Sequence, residues 1–158
     1  MKVEGLELLC FQVARRTFAV DIMGIREILR AREVTPLPGA PRGVAGVFDL
    51  RGDLVHVLDL RARLALEDED APPSAEPKMI VVEAAGRRAG LLVDRVLDVV
   101  HVPLSELCPV AGAEDSEAGP VVAAFHKAVG AGGAAVVLLV RLGLLLSGGG
   151  EPAHGGER

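Results

Sequence analysis

The side chains able to do chemistry are thinly spread along this chain. His56, His101, His126 and His154 are scattered, and none pairs with a Cys, Asp or Glu at metal-ligand spacing. His56 lies in an alternating apolar stretch, where it should face the same way as Leu54 and Leu58. Gly130, Gly132 and Gly133 form a G-x-G-G string, but no Lys-Ser/Thr follows, so a flexible hairpin turn is expected rather than a phosphate cradle. The neighbouring acids Asp49 and Asp53, and the run Glu67 to Asp70, fall in turn-like stretches, whereas acid–base catalysis needs a protected pocket. No nucleophile-elbow, P-loop, dinucleotide-binding or H-E-x-x-H string is present. These observations predict no catalysis, no metal and no cofactor.

One string resists that plain reading. In Gly46-Val47-Phe48-Asp49-Leu50-Arg51-Gly52, Arg51 occupies the apex of a tight turn between two apolar runs. A guanidinium there is exposed or half-exposed. It is either an ordinary solvent-facing turn residue or a planar, multi-donor contact for a partner's carboxylate or backbone.

The elements that must hold this turn read as short strands. Leu8–Val13 and Thr17–Val20 flank a polar turn, and Val44–Phe48 and Leu54–Leu60 flank the Arg51 turn. Between these pairs, Asp21–Leu29 is either a short helix or a bent strand, and Pro36, Pro38 and Pro41 stiffen a loop. Residues 67–78 (EDEDAPPSAEPK) look like a solvated connection. The pattern then restarts. An offset of 71 places Leu8-Leu9-Cys10-Phe11 on Met79-Ile80-Val81-Val82, Phe18-Ala19-Val20 on Ala89-Gly90-Leu91, and Ile25–Ile28 on Val96–Val99. A further shift matches Val57–Leu60 with Leu139–Leu142. Repeated strand–turn–strand units with Gly/Pro turns predict two small β-barrels built from one chain, since closure also removes exposed edges. The expected domain spans residues 1–146, followed by a Gly-rich tail over 147–158.

Composition narrows the function. Half the 158 residues are hydrophobic, yet Phe11, Phe18, Phe48 and Phe125 are the only aromatics, so the core must be Val, Leu, Ile and Ala. The net charge of −5 and the absence of Trp and Tyr argue against nucleic acid as a partner. Cys10 and Cys108 are far apart and are expected to be buried or inert thiols rather than a disulfide framework. Glu4 and Glu7 interrupt the start of the chain where an export signal would be apolar, which points to the cytoplasm. The apolar stretch Ala128–Leu146 approaches bilayer length, but Arg141 inside it would cost about 2.5–3.5 kcal/mol at a membrane centre. A glycine turn, a buried strand and a short apolar tail fit it better, and no membrane insertion is expected.

The string around Arg51 resembles the Gly-Val-x-Asn-Leu-Arg-Gly hairpin of the chemotaxis coupling (CheW-like) family. The flanks agree: Phe18–Ile22 with Ile25–Ile28, Pro38-x-x-Pro41, and Val57–Arg61. In the second half, Gly90–Val96 followed by Asp98-Val99 is similar to the family's Gly-x-x-Val-Asp-x-Val segment. The resemblance runs from about Leu6 to Leu146. It implies an all-β fold of two intertwined five-stranded SH3-like barrels with short helical elements. It also implies a non-catalytic adaptor that bridges the cytoplasmic tip of a methyl-accepting chemoreceptor and the regulatory domain of a histidine kinase. By position it carries partner binding onto Arg51, Glu27, Ile25, Gly46, Val96 and Val99, although Ile25, Val96 and Val99 also suit a plain core role. Three residues depart from the pattern. Asp49 replaces Asn and is expected to hold Arg51 in a local ion pair, His56 stands where Pro is frequent, and Arg141 where Asp is common. Alternative readings are a ligand-binding β-barrel with an apolar groove, and an adaptor paralogue that keeps one of the two partners.

Overall fold

The computed structural model describes residues 4–66, 70–110 and 119–147. The first half of the chain supplies β1 (Gly5–Val13), β2 (Arg16–Asp21), β3 (Ile25–Arg30), β4 (Val44–Leu50), β5 (Asp53–Leu58) and a single helical turn, α1 (Leu60–Arg63). The second half supplies β6 (Lys78–Ala84), β7 (Arg87–Val93), β8 (Arg95–Pro103), the two-residue β9 (Cys108–Pro109), β10 (Val121–Val129), β11 (Gly133–Val140) and α2 (Leu142–Ser147). Both readings of Asp21–Leu29 hold in part. A 3-10 turn over Ile22–Gly24, capped by the Asp21 carboxylate accepting from the Met23 N–H at 2.9 Å, leads into the strand β3.

The strands form two sheets, ordered β8-β1-β2-β11-β10-β9 and β3-β6-β7-β5-β4. Neither sheet belongs to one half. β8 leaves its own half to pair with β1, and β3 leaves its half to pair with β6. The 71-residue offset maps one exchange onto the other: Phe11 opposes Val96 as Val82 opposes Ile25. Each sheet curls so that its ends meet. In the second, the Thr35 and Val47 amides exchange hydrogen bonds of 2.8 and 2.9 Å across the β3–β4 seam. In the first, β9 pairs with β10 at the corresponding place, Cys108 against Ala124.

Alternation along β1 and β6 explains why the halves cannot part. On β1, Leu8 and Cys10 point into the first barrel with Phe125, while Leu9, Phe11 and Val13 point the other way into a core shared by both sheets. On β6, Met79 and Val81 join Phe48 inside the second barrel, while Ile80 and Val82 enter the shared core. Phe11 and Phe18, opposed on β1 and β2, stack at 6.0 Å and 29° inside it. Both helical turns close on this centre, with Leu60 from α1 and Leu142, Leu145 and Leu146 from α2. Arg63 reaches back to the α2 carbonyl of Leu145 (2.6 Å) and to the Gly43 carbonyl (3.3 Å), and its partial desolvation lowers its pKa from the usual arginine value.

Other expectations meet mixed outcomes. Ala128–Leu146 is the end of β10, a turn, β11 and most of α2, and no helix among the described residues is long and apolar enough to cross a membrane. Both cysteines are free thiols, Cys10 buried and Cys108 exposed on β9 at the sheet edge. Residues 67–69 of the acidic connection and the tail from 148 lie outside the described residues.

Candidate functional site

The Arg51 turn is a two-residue hairpin loop between paired Leu50 and Asp53, with φ of 50° at Arg51 and 95° at Gly52. Positive φ at both central positions defines the turn whose twist matches flanking strands. Gly52 adopts it freely, whereas a left-handed Arg carries about 1–2 kcal/mol of steric cost. The carboxylate of Asp49 offsets part of that by accepting from the Gly52 N–H at 2.8 Å. This corrects the expected Asp49–Arg51 pair: Asp49 fastens the turn backbone and leaves the guanidinium to another acid.

That acid is Glu27. Arg51 Nη1 donates to Glu27 Oε1 at 3.1 Å and Nη2 to Oε2, a two-pronged ion pair. A slip in register between Ile25 and Glu27, opposite Val82 and Val81, bulges β3 at this point. Bulges re-aim side chains, and here Glu27 meets a turn on the far edge of the same sheet. The pair therefore spans the β3–β4 seam. Hydrogen bonding from Arg51 holds the Glu27 carboxyl below its ordinary value, and Glu27 raises the arginine further. The Arg51 side chain remains 64% exposed, so the guanidinium is oriented without being covered.

The remaining expected site residues fall into separate roles. Gly46, at φ 156°, is buried, and a Cβ there would lie 2.2 Å from the Thr35 carbonyl oxygen. Its function is to admit the Thr35 segment that closes the barrel. Ile25 and Val96 both pack against the shared core and are only partly exposed, while Val99 is an exposed side chain on β8. Thus Ile25, Glu27, Gly46 and Arg51 belong to the β3/β4 sheet, and Val96 and Val99 to the other.

Sequence reasoning missed the counterpart of the Arg51 seam. Lys127 on β10 pairs with Asp98 on β8 at 3.3 Å, across the matching seam of the first barrel. Asp98 lies 71 residues beyond Glu27, so the repeat already pointed to it; Lys127 was hidden because the β4–β5 and β10–β11 hairpins follow a different spacing. Also missed was Asp94, whose carboxylate accepts from the left-handed Ala14 N–H at 2.7 Å and so fastens the β1–β2 turn to the second half. Among the described residues no group of three His, Cys, Asp or Glu side chains is placed to hold a metal ion.

Two strand-exchanged, closed sheets around a common core define a double SH3-like barrel protein. The chain belongs to the CheW-like domain family, which matches residues 7–148. It is 39% identical over 105 residues to the chemotaxis protein CheW of Rhizobium meliloti, covering 66% of each chain. It is 28% identical over 143 residues to CheW of Klebsiella aerogenes, covering 90% of this chain and 82% of that one. With the CheW of Treponema pallidum it shares 29% identity over 101 residues, 63% of this chain and 59% of the relative, so the chain spans about three-fifths to two-thirds of these first and third relatives. The crystal structure of the scaffolding protein TtCheW from Thermoanaerobacter tengcongensis superposes with a TM-score of 0.76 at 20% identity, covering 96% of this chain and 94% of that one, a likeness of fold.

Proposed function

We propose that this chain is a non-catalytic signalling adaptor that couples the cytoplasmic tips of chemoreceptors to the regulatory domain of a histidine kinase. The observation that carries the reading is the Arg51 hairpin: a strained, exposed guanidinium, aimed by Glu27, in a member of the CheW-like family. Such a group offers several donors to a partner's carboxylates or backbone carbonyls, and its fixed orientation lowers the ordering cost of docking. Ile25, Val96 and Val99 supply apolar surface beside the charged rim, a combination suited to the apolar face of a helical hairpin. Gly46 serves that surface indirectly by holding the seam shut. The work of such an adaptor is in the cytoplasm, against the receptors' cytoplasmic tips.

The test is reconstitution. Kinase autophosphorylation is measured with receptor-containing membranes, with and without this protein. Receptor-dependent activation should require the protein, and Arg51→Ala should abolish coupling while the protein stays folded, its thermal unfolding lowered by no more than one surface ion pair accounts for. Phosphorylation that ignores the protein at saturating concentration would refute the adaptor reading.

A further inference from the structure

The 71-residue repeat relates equivalent positions on β3 and β8, the two strands that the halves exchange. The order along them is the same. Ile25 and Val96 pack against the shared core, and Ile28 and Val99 are 44% and 52% exposed. Arg30 and His101 come next, each directly opposite a residue of the neighbouring strand, Lys78 on β6 and Glu7 on β1. Lys78 and Glu7 are themselves repeat counterparts. Two equivalent apolar rows therefore leave the common core, one in each sheet, and each ends in a charged cross-strand pair.

The two ends differ in sign and in how they are satisfied. His101 Nδ1 meets the Glu7 carboxylate at 2.5 Å, so that end closes on itself. Arg30 and Lys78 instead set like charges opposite each other on one face, an arrangement that repels. Among the described residues no other directly opposed strand pair carries two charges of one sign. Neither cationic group has a hydrogen bond or ion pair with a described residue. Both line a cleft of about 290 Å³ in which Glu76 is the one carboxylate, and it pairs with neither. Blocking of edge-to-edge pairing would account for a charge on the edge strand β3. It does not account for Lys78, because β6 lies inside the sheet between β3 and β7.

We propose that Arg30 and Lys78 form the cationic end of the receptor-docking surface and take carboxylates at one end of the apolar face of the receptor's helical hairpin. On the adaptor reading, which this assignment presupposes, the pair fixes the polarity of docking: the acidic end lies over β3 and β6, and the apolar face over Ile28 and Val99. A hairpin laid the opposite way would set its acids against Glu7 and leave the two cations facing each other, so the wrong orientation is penalised as well as the right one favoured.

The probe is the purified, fluorophore-labelled cytoplasmic fragment of a chemoreceptor from the same genome, titrated with the full chain by fluorescence anisotropy at low and high salt. At low salt the double variant Arg30→Gln/Lys78→Gln should bind about fivefold more weakly than wild type, or worse. At about 1 M salt, where charges are screened beyond about 3 Å, the two should bind alike. Glu7→Gln/His101→Gln should bind no more weakly than wild type at either salt. Removing a repulsive pair should leave Arg30→Gln/Lys78→Gln unfolding no earlier than wild type, so lost binding cannot be charged to lost folding. Equal binding by that variant and wild type at low salt overturns the assignment and leaves the adaptor reading standing. A deficit as large at high salt also overturns it, by tracing the loss to packing rather than charge. So does an equal loss in Glu7→Gln/His101→Gln, which removes the polarity. No binding by wild type at either salt overturns the adaptor reading itself, and this assignment with it.

Discussion

The two barrels close their seams by the same plan and finish them differently. Glu27 and Asp98 occupy the same place in the repeat, each reaching across a seam to a cation, Arg51 or Lys127. In the second barrel the cation is outermost: Arg51 is 64% exposed and Glu27 29%. In the first the order reverses, with Lys127 18% exposed and Asp98 60%. One seam therefore presents a guanidinium to solvent and the other a carboxylate. The backbone beneath differs too. The β4 bulge carries Gly46 under Thr35, whereas the corresponding β10 register slip carries Ala123, whose methyl fits inside its own barrel. Duplication has kept the interior, where alternation and volume leave little freedom. It has let the rims diverge, where a charge costs little to change.

The largest expected effect tests the claim that the barrels share one interior. Phe11→Ala should cost about 3–5 kcal/mol, since the ring is buried in the common core. Denaturant unfolding followed by probes in each sheet should stay a single transition, and two separated transitions would break the strand-exchange account. Next in size is the contrast between bulges. Gly46→Ala drives a methyl into the Thr35 carbonyl and should cost about 1–3 kcal/mol, whereas Ala123→Gly should cost about 1 kcal/mol or less. Equal losses in thermal melts would mean that the seams are closed alike.

The seam ions should matter less to stability. Lys127→Ala is expected to cost about 0–1 kcal/mol, in keeping with a single surface pair. Glu27 gives a sharper reading. Its folded-state pKa lies below the unfolded value, so its ionised form stabilises the fold above the ordinary glutamate range, and that contribution is lost as pH falls through the depressed value. Carboxyl titration by NMR should place the Glu27 midpoint below an ordinary glutamate, and Arg51→Ala should return it to normal. A midpoint unmoved by that substitution would remove Arg51 as its cause. The smallest effect concerns the thiols. Burial pushes Cys10 up to about 11, so at pH 8 a thiol reagent should label exposed Cys108 and reach Cys10 only on unfolding.

Much of this was legible because period-two alternation and an ungapped 71-residue repeat are properties of single strands. They predicted β1, β2, β6 and β7 and the burial of their inner faces. The exchange of β3 and β8 could not be read from alternation, which says which face is buried but not which neighbour supplies the hydrogen bonds; it entered only through family resemblance. Arg51 was visible because a charged apex between apolar runs is a local pattern. Its partner was not, because Glu27 meets it through a bulge and a closed seam, 24 residues away. The nearer acid Asp49 was the natural guess, and it failed because the Gly52 amide claims that carboxylate.

The central claim is that the outermost guanidinium of the second barrel, rather than the matching cation of the first, is the signalling contact. Calorimetric titration of the kinase regulatory domain with wild type, Arg51→Ala and Lys127→Ala tests it directly. The account predicts micromolar binding by wild type and Lys127→Ala, with at least tenfold loss for Arg51→Ala while that variant remains folded at the assay temperature. Equal binding by all three, or a loss confined to Lys127→Ala, would contradict it.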